Sequence, residues 1–138
     1  MPILVGALLA VAVGLLARTS GLDRDRAFYS TVLIVVASYY SLFAVMGASM
    51  RAIVLETLVA GAFVAAAVFG FRSSLWVVAI ALGAHGVFDF VHGTVIANPG
   101  TPGWWPAFCG TYDVTAALFL AWLLGSGRIP TAPAPPPR

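Results

Sequence analysis

Apolar runs of about 17–25 residues, separated by short polar or Pro- and Gly-containing segments, follow one another along most of the chain. This length matches the hydrocarbon thickness of a bilayer. The runs predict five transmembrane helices, at Pro2–Ala17, Ala27–Met46, Ala52–Phe71, Leu75–Ile96 and Ala107–Leu124. Because the connections are short, successive helices are expected to be antiparallel neighbours. The pattern therefore predicts an all-α integral membrane bundle, with residues 1–124 as one transmembrane domain.

The two ends of the chain differ from the central spans. The first run is short and N-terminal, as a cleaved signal peptide would be, but no Lys or Arg precedes it. Its Gly6, Ala10 and Gly14 form a small-residue stripe suited to close helix packing. We expect this helix to be retained; without it the bundle would have four helices. Residues 125–138 contain five of the nine prolines and are predicted to form an extended, disordered tail.

Composition excludes several classes of protein. Charged residues make up 9% of the chain and hydrophobic residues 61%, whereas a soluble domain carries about 25% charged residues. A water-soluble monomer is thus excluded. A net charge of +2 without a basic cluster excludes nucleic-acid binding, and a single cysteine excludes a disulfide scaffold. The expected partner is the lipid bilayer, with a homo-oligomer or a larger membrane complex as further possibilities.

The basic residues predict an orientation, because positive charge collects on the cytoplasmic side of a membrane protein. All seven are arginines. Five spans place six of them on one side, namely Arg18, Arg24, Arg26, Arg72, Arg128 and Arg138, and leave Arg51 on the other. The sequence therefore predicts a bacterial inner-membrane protein with its N-terminus outside and its C-terminus in the cytoplasm.

Ionisable residues inside the predicted spans are the strongest functional signal. Asp23 and Asp25 lie in the arginine-rich loop, but the other three acids and both histidines lie within spans: Glu56, His85, Asp89, His92 and Asp113. Such groups are costly in a bilayer unless they are paired or functional. His85, Asp89 and His92, at positions i, i+4 and i+7, share one stripe of the fourth helix. Counting residues from the helix ends places all five in one layer of the outer half, together with Tyr39, Tyr40, Cys109 and Tyr112 as candidate neighbours.

This set of side chains allows three interpretations. Imidazoles and carboxylates on facing helices are ligands for Zn or Fe, which makes His85, Asp89, His92 and Asp113 candidate ligands of one divalent metal. Glu56 and Asp89 are then the candidate catalytic groups, in an enzyme acting on a lipid or another apolar substrate. The same groups can instead relay protons in a small proton-coupled carrier. They can also hold together an accessory or structural subunit of a membrane complex through interhelical hydrogen bonds.

The order of motifs from Glu56 onward resembles a family of small bacterial multi-pass membrane proteins of unknown function. The similar segments are H-G-V-F-D-F-V-H at His85–His92, the pair Asn98–Pro99, and F-C-G-T-Y-D at Phe108–Asp113. In the family a second histidine follows the His-x-x-x-Asp-x-x-His pattern, whereas Gly93 stands there in this chain. The resemblance implies that Glu56, His85, Asp89, His92, Cys109 and Asp113 belong to one group. It implies no particular reaction.

Overall fold

A computed structural model describes residues 1–24 and 26–133, and these residues form five α-helices and no strand. The helices are α1 (Pro2–Ser20), α2 (Ala27–Met46), α3 (Met50–Arg72), α4 (Leu75–Val95) and α5 (Trp105–Gly125). Each is long and apolar enough to cross a membrane. The predicted all-α bundle of five membrane-spanning helices is confirmed, and the chain is a multi-pass membrane protein. Asp25 of the arginine-rich loop and residues 134–138 of the tail lie outside the described residues.

The helix boundaries follow from local chemistry. Ser49 and Ser74 cap α3 and α4, because each hydroxyl accepts a hydrogen bond from a backbone N–H of the first turn. Helix α1 continues three residues beyond its predicted end, to Ser20, and stops at Gly21 in the left-handed conformation. The hydroxyl of Ser20 donates to the Leu16 carbonyl at 2.6 Å, so polar residues extend this helix.

The helices do not all pack against their neighbours in sequence. Helix α4 lies centrally, between α5 and α3 and in contact with α2, whereas α1 packs mainly against α5 rather than α2. The predicted small-residue stripe of Gly6, Ala10 and Gly14 is buried against α5. A Cβ atom on Gly6 would collide with the Phe108 carbonyl oxygen, so the two backbones touch there. Close packing of α1 on α5 leaves a cleft between α1 and α2.

The beginning of the tail packs against the bundle. Ile129 is 4% exposed and belongs to the hydrophobic core. The Thr131 carbonyl accepts a hydrogen bond from the Leu75 backbone N–H at 2.9 Å, and the Pro130 carbonyl accepts one from Arg26 at 3.3 Å. The sequence predicted an extended, disordered tail from residue 125 onward. The structure differs here because one apolar side chain, Ile129, is buried, and it fixes the residues beside it.

Candidate functional site

Two glycines bring the polar side chains of α4 and α5 together. A Cβ atom on Gly86 would lie 2.7 Å from the Gly110 carbonyl oxygen, and one on Gly110 would lie 2.8 Å from the Gly86 carbonyl oxygen. The two backbones therefore cross in direct contact, as small residues allow in membrane helices. His85 directly precedes Gly86, and Cys109 directly precedes Gly110. Asp89 and Asp113, one turn further along each helix, meet beside this crossing.

The first group formed there is the His85 cluster, consisting of His85, Asp89 and Asp113. The imidazole Nδ1 of His85 lies 2.6 Å from Asp113 Oδ2, a hydrogen bond, and 3.7 Å from Asp89 Oδ2. All three side chains are buried, with exposed fractions of 1% or less. One ligand atom from each residue lies within 4.8 Å of the others, so the cluster can hold a metal ion.

The His85 cluster has more acceptor atoms than donors. Both carboxylate oxygens of Asp89 and Oδ1 of Asp113 are buried and accept no hydrogen bond of good geometry among the described residues, and the donors close to Asp89 are the Tyr40 hydroxyl and the Cys109 thiol. The Cys109 thiol lies 3.9 Å from Asp113 Oδ2, a weak contact to the oxygen that His85 already binds. Buried carboxylate oxygens are costly unless a proton, a hydrogen-bond donor or a cation satisfies them. The cluster thus presents an electronegative, unsatisfied space between α4 and α5.

The second group is the Glu56 cluster, which lies between α3, α4 and the loop that follows α4. His92 Nε2 donates to Glu56 Oε1 at 2.7 Å, and the Asn98 side-chain amide donates to the same oxygen at 2.9 Å. Asn98 also donates to the Tyr40 backbone carbonyl at 3.0 Å. Glu56 Oε2 is buried without a hydrogen bond among the residues described. His92 is thus held by Glu56, apart from the group that can hold a metal.

Tyr40 of α2 connects the two clusters. Its ring stacks on the His92 imidazole, with centroids 3.8 Å apart and planes inclined by 15°. The same ring lies 6.3 Å from the His85 imidazole. Phe63 packs edge-on against His85 at 4.8 Å, and Phe88 packs edge-on against His92 at 5.5 Å. Aromatic rings therefore surround both imidazoles and limit the access of water to them.

The connection between α4 and α5 covers the clusters from the side that the sequence predicts to be outer. A Cβ atom on Gly100 would collide with the Phe43 carbonyl oxygen and lie 2.8 Å from the Gly47 backbone nitrogen. Only glycine fits so close an approach. The loop therefore sits directly on the turn between α2 and α3, where Asn98 reaches Glu56.

The predicted site residues fall into three sets in the structure. Glu56, His85, Asp89, His92 and Asp113 are all buried, as two clusters rather than one. Tyr40 and Cys109 contact these clusters. Tyr39 and Tyr112 instead line the cleft between α1, α2 and α5.

The sequence did not predict Asn98 as a site residue, because a loop position alone does not identify a partner. The feature that could have indicated its role is an Asn before a proline, just after a helix with inward-facing ionisable groups.

The cleft between α1, α2 and α5 opens at the surface of the bundle. It encloses about 470 Å³ and is lined mostly by apolar side chains, among them Leu9 and Val13 of α1, Val32 and Val35 of α2, and Phe108 of α5. Cys109 also lines it, and the Cys109 thiol contacts Asp113 of the His85 cluster. The cleft therefore leads from the lipid-facing surface to the edge of the polar site.

Comparisons of the chain with protein-family models, curated proteins and solved structures find no match. The geometry of the two clusters is therefore the basis for the function proposed below.

Proposed function

We propose that the chain is an inner-membrane enzyme of a bacterium that binds one divalent metal at the His85 cluster and acts on a lipid or another apolar substrate. The observation that supports this most strongly is the set of three unpartnered carboxylate oxygens on Asp89 and Asp113, beside the imidazole of His85. A divalent cation would satisfy these oxygens at once. One imidazole and two carboxylates are a ligand set for Zn or Fe.

Charge balance inside the membrane supports a cation. Three carboxylic acids and two imidazoles are buried in these two clusters, so even with both imidazoles protonated the acids would leave one negative charge. A lone charge in the bilayer interior is costly. A dication at the His85 cluster neutralises Asp89 and Asp113, and the hydrogen-bonded pair of His92 and Glu56 then balances itself.

A bound Zn or Fe ion polarises an oxygen of the substrate or lowers the pKa of a bound water. With three protein ligands, a coordination position stays open for this purpose. The sequence also predicted Glu56 as the general base; its Oε1 accepts hydrogen bonds from His92 and Asn98, which supports a role in holding His92 in this proposal. Asp89, with two free oxygens, is the better candidate for a second role as base.

The cleft supports an apolar substrate. It opens toward the hydrocarbon of the bilayer and reaches the cluster at Cys109, while the loop carrying Asn98 and Gly100 covers the other approach. The arginine distribution places this loop outside and the C-terminus in the cytoplasm. A substrate would thus reach the cluster sideways from the membrane.

Metal analysis of the full-length protein purified in mild detergent tests the proposal. We expect a near-stoichiometric divalent metal in the unaltered protein, and its loss in His85→Ala. His92→Ala is the matched control, because this histidine is on the same helix but is bound to Glu56, so its metal content should remain unchanged. Absence of metal from the unaltered protein, after supplementation with Zn and with Fe, would reject the proposal.

A second candidate is metal-free proton transfer. The structure favours it through two histidine–carboxylate hydrogen bonds, of 2.6 and 2.7 Å, joined by the Tyr40 ring. In this case protons, rather than a cation, neutralise the buried acids. Proton flux into proteoliposomes that depends on Asp113 but not on added metal would favour this function.

A further inference from the structure

The cleft between α1, α2 and α5 has an apolar wall and ends next to the arginine-rich loop. The wall is formed by side chains that face the bilayer, such as Leu9, Val13, Val32 and Val35. At one end the lining residues are Leu22 and Ala27, which lie on either side of the arginine-rich loop in the sequence. A ligand that fits both features has a hydrocarbon chain and an anionic head group.

The arginines of this loop differ in what they contact. Arg18 pairs with Asp23 at 3.5 Å, and Arg26 donates to the Phe71 carbonyl at 2.8 Å and the Pro130 carbonyl at 3.3 Å. Arg24 is exposed, and its side chain has no hydrogen-bond or ion-pair partner within residues 1–24 and 26–133. Its side chain lies over Gly21, the residue that precedes the lining residue Leu22 in the sequence. Arg24 is thus the guanidinium that can bind an anion at the end of the cleft.

The length of the cleft matches one lipid chain. Its lining on α2 extends from Ala27 to Tyr39, which is about 18 Å along a helix. The hydrocarbon of one leaflet is about 15 Å thick. A chain whose head group lies at Arg24 would therefore extend along the cleft toward the end where Cys109 contacts Asp113.

We propose that this cleft binds one acyl chain of an anionic phospholipid, with the phosphate at Arg24 and the chain directed toward Cys109. This inference rests on the proposed function only in taking the His85 cluster, near the far end of the acyl chain, as a reactive site. Lipid binding itself requires no metal. The structure thus brings the chain of the lipid, rather than its head group, to the neighbourhood of the His85 cluster.

Photocrosslinking in vesicles tests this proposal with the full-length protein. Two samples of phosphatidylcholine vesicles are compared, each with the same small fraction of a photoreactive lipid. The photoreactive group is on the acyl chain, and the probe lipid is phosphatidylglycerol in one sample and phosphatidylcholine in the other. We expect the phosphatidylglycerol probe to label peptides of α1 and α2 about fivefold more than the phosphatidylcholine probe, the effect of one arginine near an anionic lipid. Arg24→Gln should remove this preference.

Two variants of one helix separate cleft binding from general lipid contact. Val35→Trp fills the cleft and should lower the labelling several-fold. Val45→Trp is the matched control, because Val45 is also exposed on α2 but does not line the cleft, and its labelling should remain unchanged. Equal labelling by the two probes would overturn the proposal, as would labelling that Val35→Trp leaves unaltered.

Repeating the experiment on His85→Ala distinguishes this proposal from the metal site. The cleft is unchanged in this variant, so we expect the same labelling pattern even though the metal ligand is gone. Labelling that disappears in His85→Ala while the fold persists would contradict a cleft that binds lipid independently.

Discussion

Asp89 and Asp113 share one cluster but differ in how their oxygens are satisfied. Asp113 Oδ2 accepts the hydrogen bond from His85 at 2.6 Å, whereas Asp89 has only the longer contact to His85 at 3.7 Å and accepts no hydrogen bond of good geometry among the described residues. Without a metal, Asp113 therefore contributes to the stability of the fold, and Asp89 costs free energy. Replacing each aspartate in turn by asparagine separates these two effects on stability.

For the metal-stripped protein, Asp113→Asn should lower stability by about 1–2 kcal/mol, because a hydrogen bond to a charged group becomes a neutral one. Asp89→Asn should leave stability unchanged or raise it, because it removes a buried charge that accepts no strong hydrogen bond and lies 3.7 Å from His85. Thermal unfolding in detergent with a chelator measures both. A larger loss of stability in Asp89→Asn than in Asp113→Asn would contradict this assignment.

The sequence places the five ionisable residues at one level, but it cannot assign partners to them. On a helical projection Asp89 and His92 lie about 60° apart, on opposite sides of His85. A shared stripe is therefore wide enough to face two neighbouring helices. Asp89 faces α5 and His92 faces Glu56 of α3, a division that depends on where α4 crosses each neighbour. The role of Asn98 could not be predicted either, because it depends on how the loop after α4 folds back onto the bundle.

At the scale of the elements, small residues decide which helices are neighbours. The hydrophobic run predicted helix α1. Its small-residue stripe predicted a close contact with another helix but did not identify that helix. Short connections favoured α2, yet the stripe fits against α5 near Phe108. The helix limits also shifted by up to three residues, because polar residues such as Thr19 and Ser20 bond back to the carbonyls of α1.

Gly6→Ala tests this contact against the same substitution on α3. The added methyl group would meet the Phe108 carbonyl oxygen, so we expect a loss of stability of about 1–3 kcal/mol, typical of overpacking. Gly61→Ala is the control, because nothing lies within 4 Å of its Cβ position. Thermal unfolding compares the two variants, and equal stability would argue against a close contact between α1 and α5.

At the scale of the whole molecule, the helices place Ala97 and Ser126 at opposite ends of the bundle, and both residues are exposed. The only cysteine, Cys109, is 2% exposed and should react slowly with thiol reagents. Introduced cysteines therefore report the orientation that the arginines predict.

In intact cells with a permeable outer barrier, a membrane-impermeant maleimide should label Ala97→Cys and leave Ser126→Cys unlabelled until the membrane is broken. The reason is that six arginines on the side of Ser126 favour the cytoplasm. The reverse pattern of labelling would show that the N-terminus is inside.

The contact between α1 and α5 also affects how the protein is made. Gly6 and Phe108 touch, yet about one hundred residues separate them, which a ribosome adds in roughly 5–20 s. During this interval the first helix has no permanent partner, and its glycine stripe is open to lipid or to other nascent helices. Insertion machinery must therefore tolerate an unpaired α1 until α5 has been synthesised. A chain that stops before α5 would leave α1 without the helix it packs against.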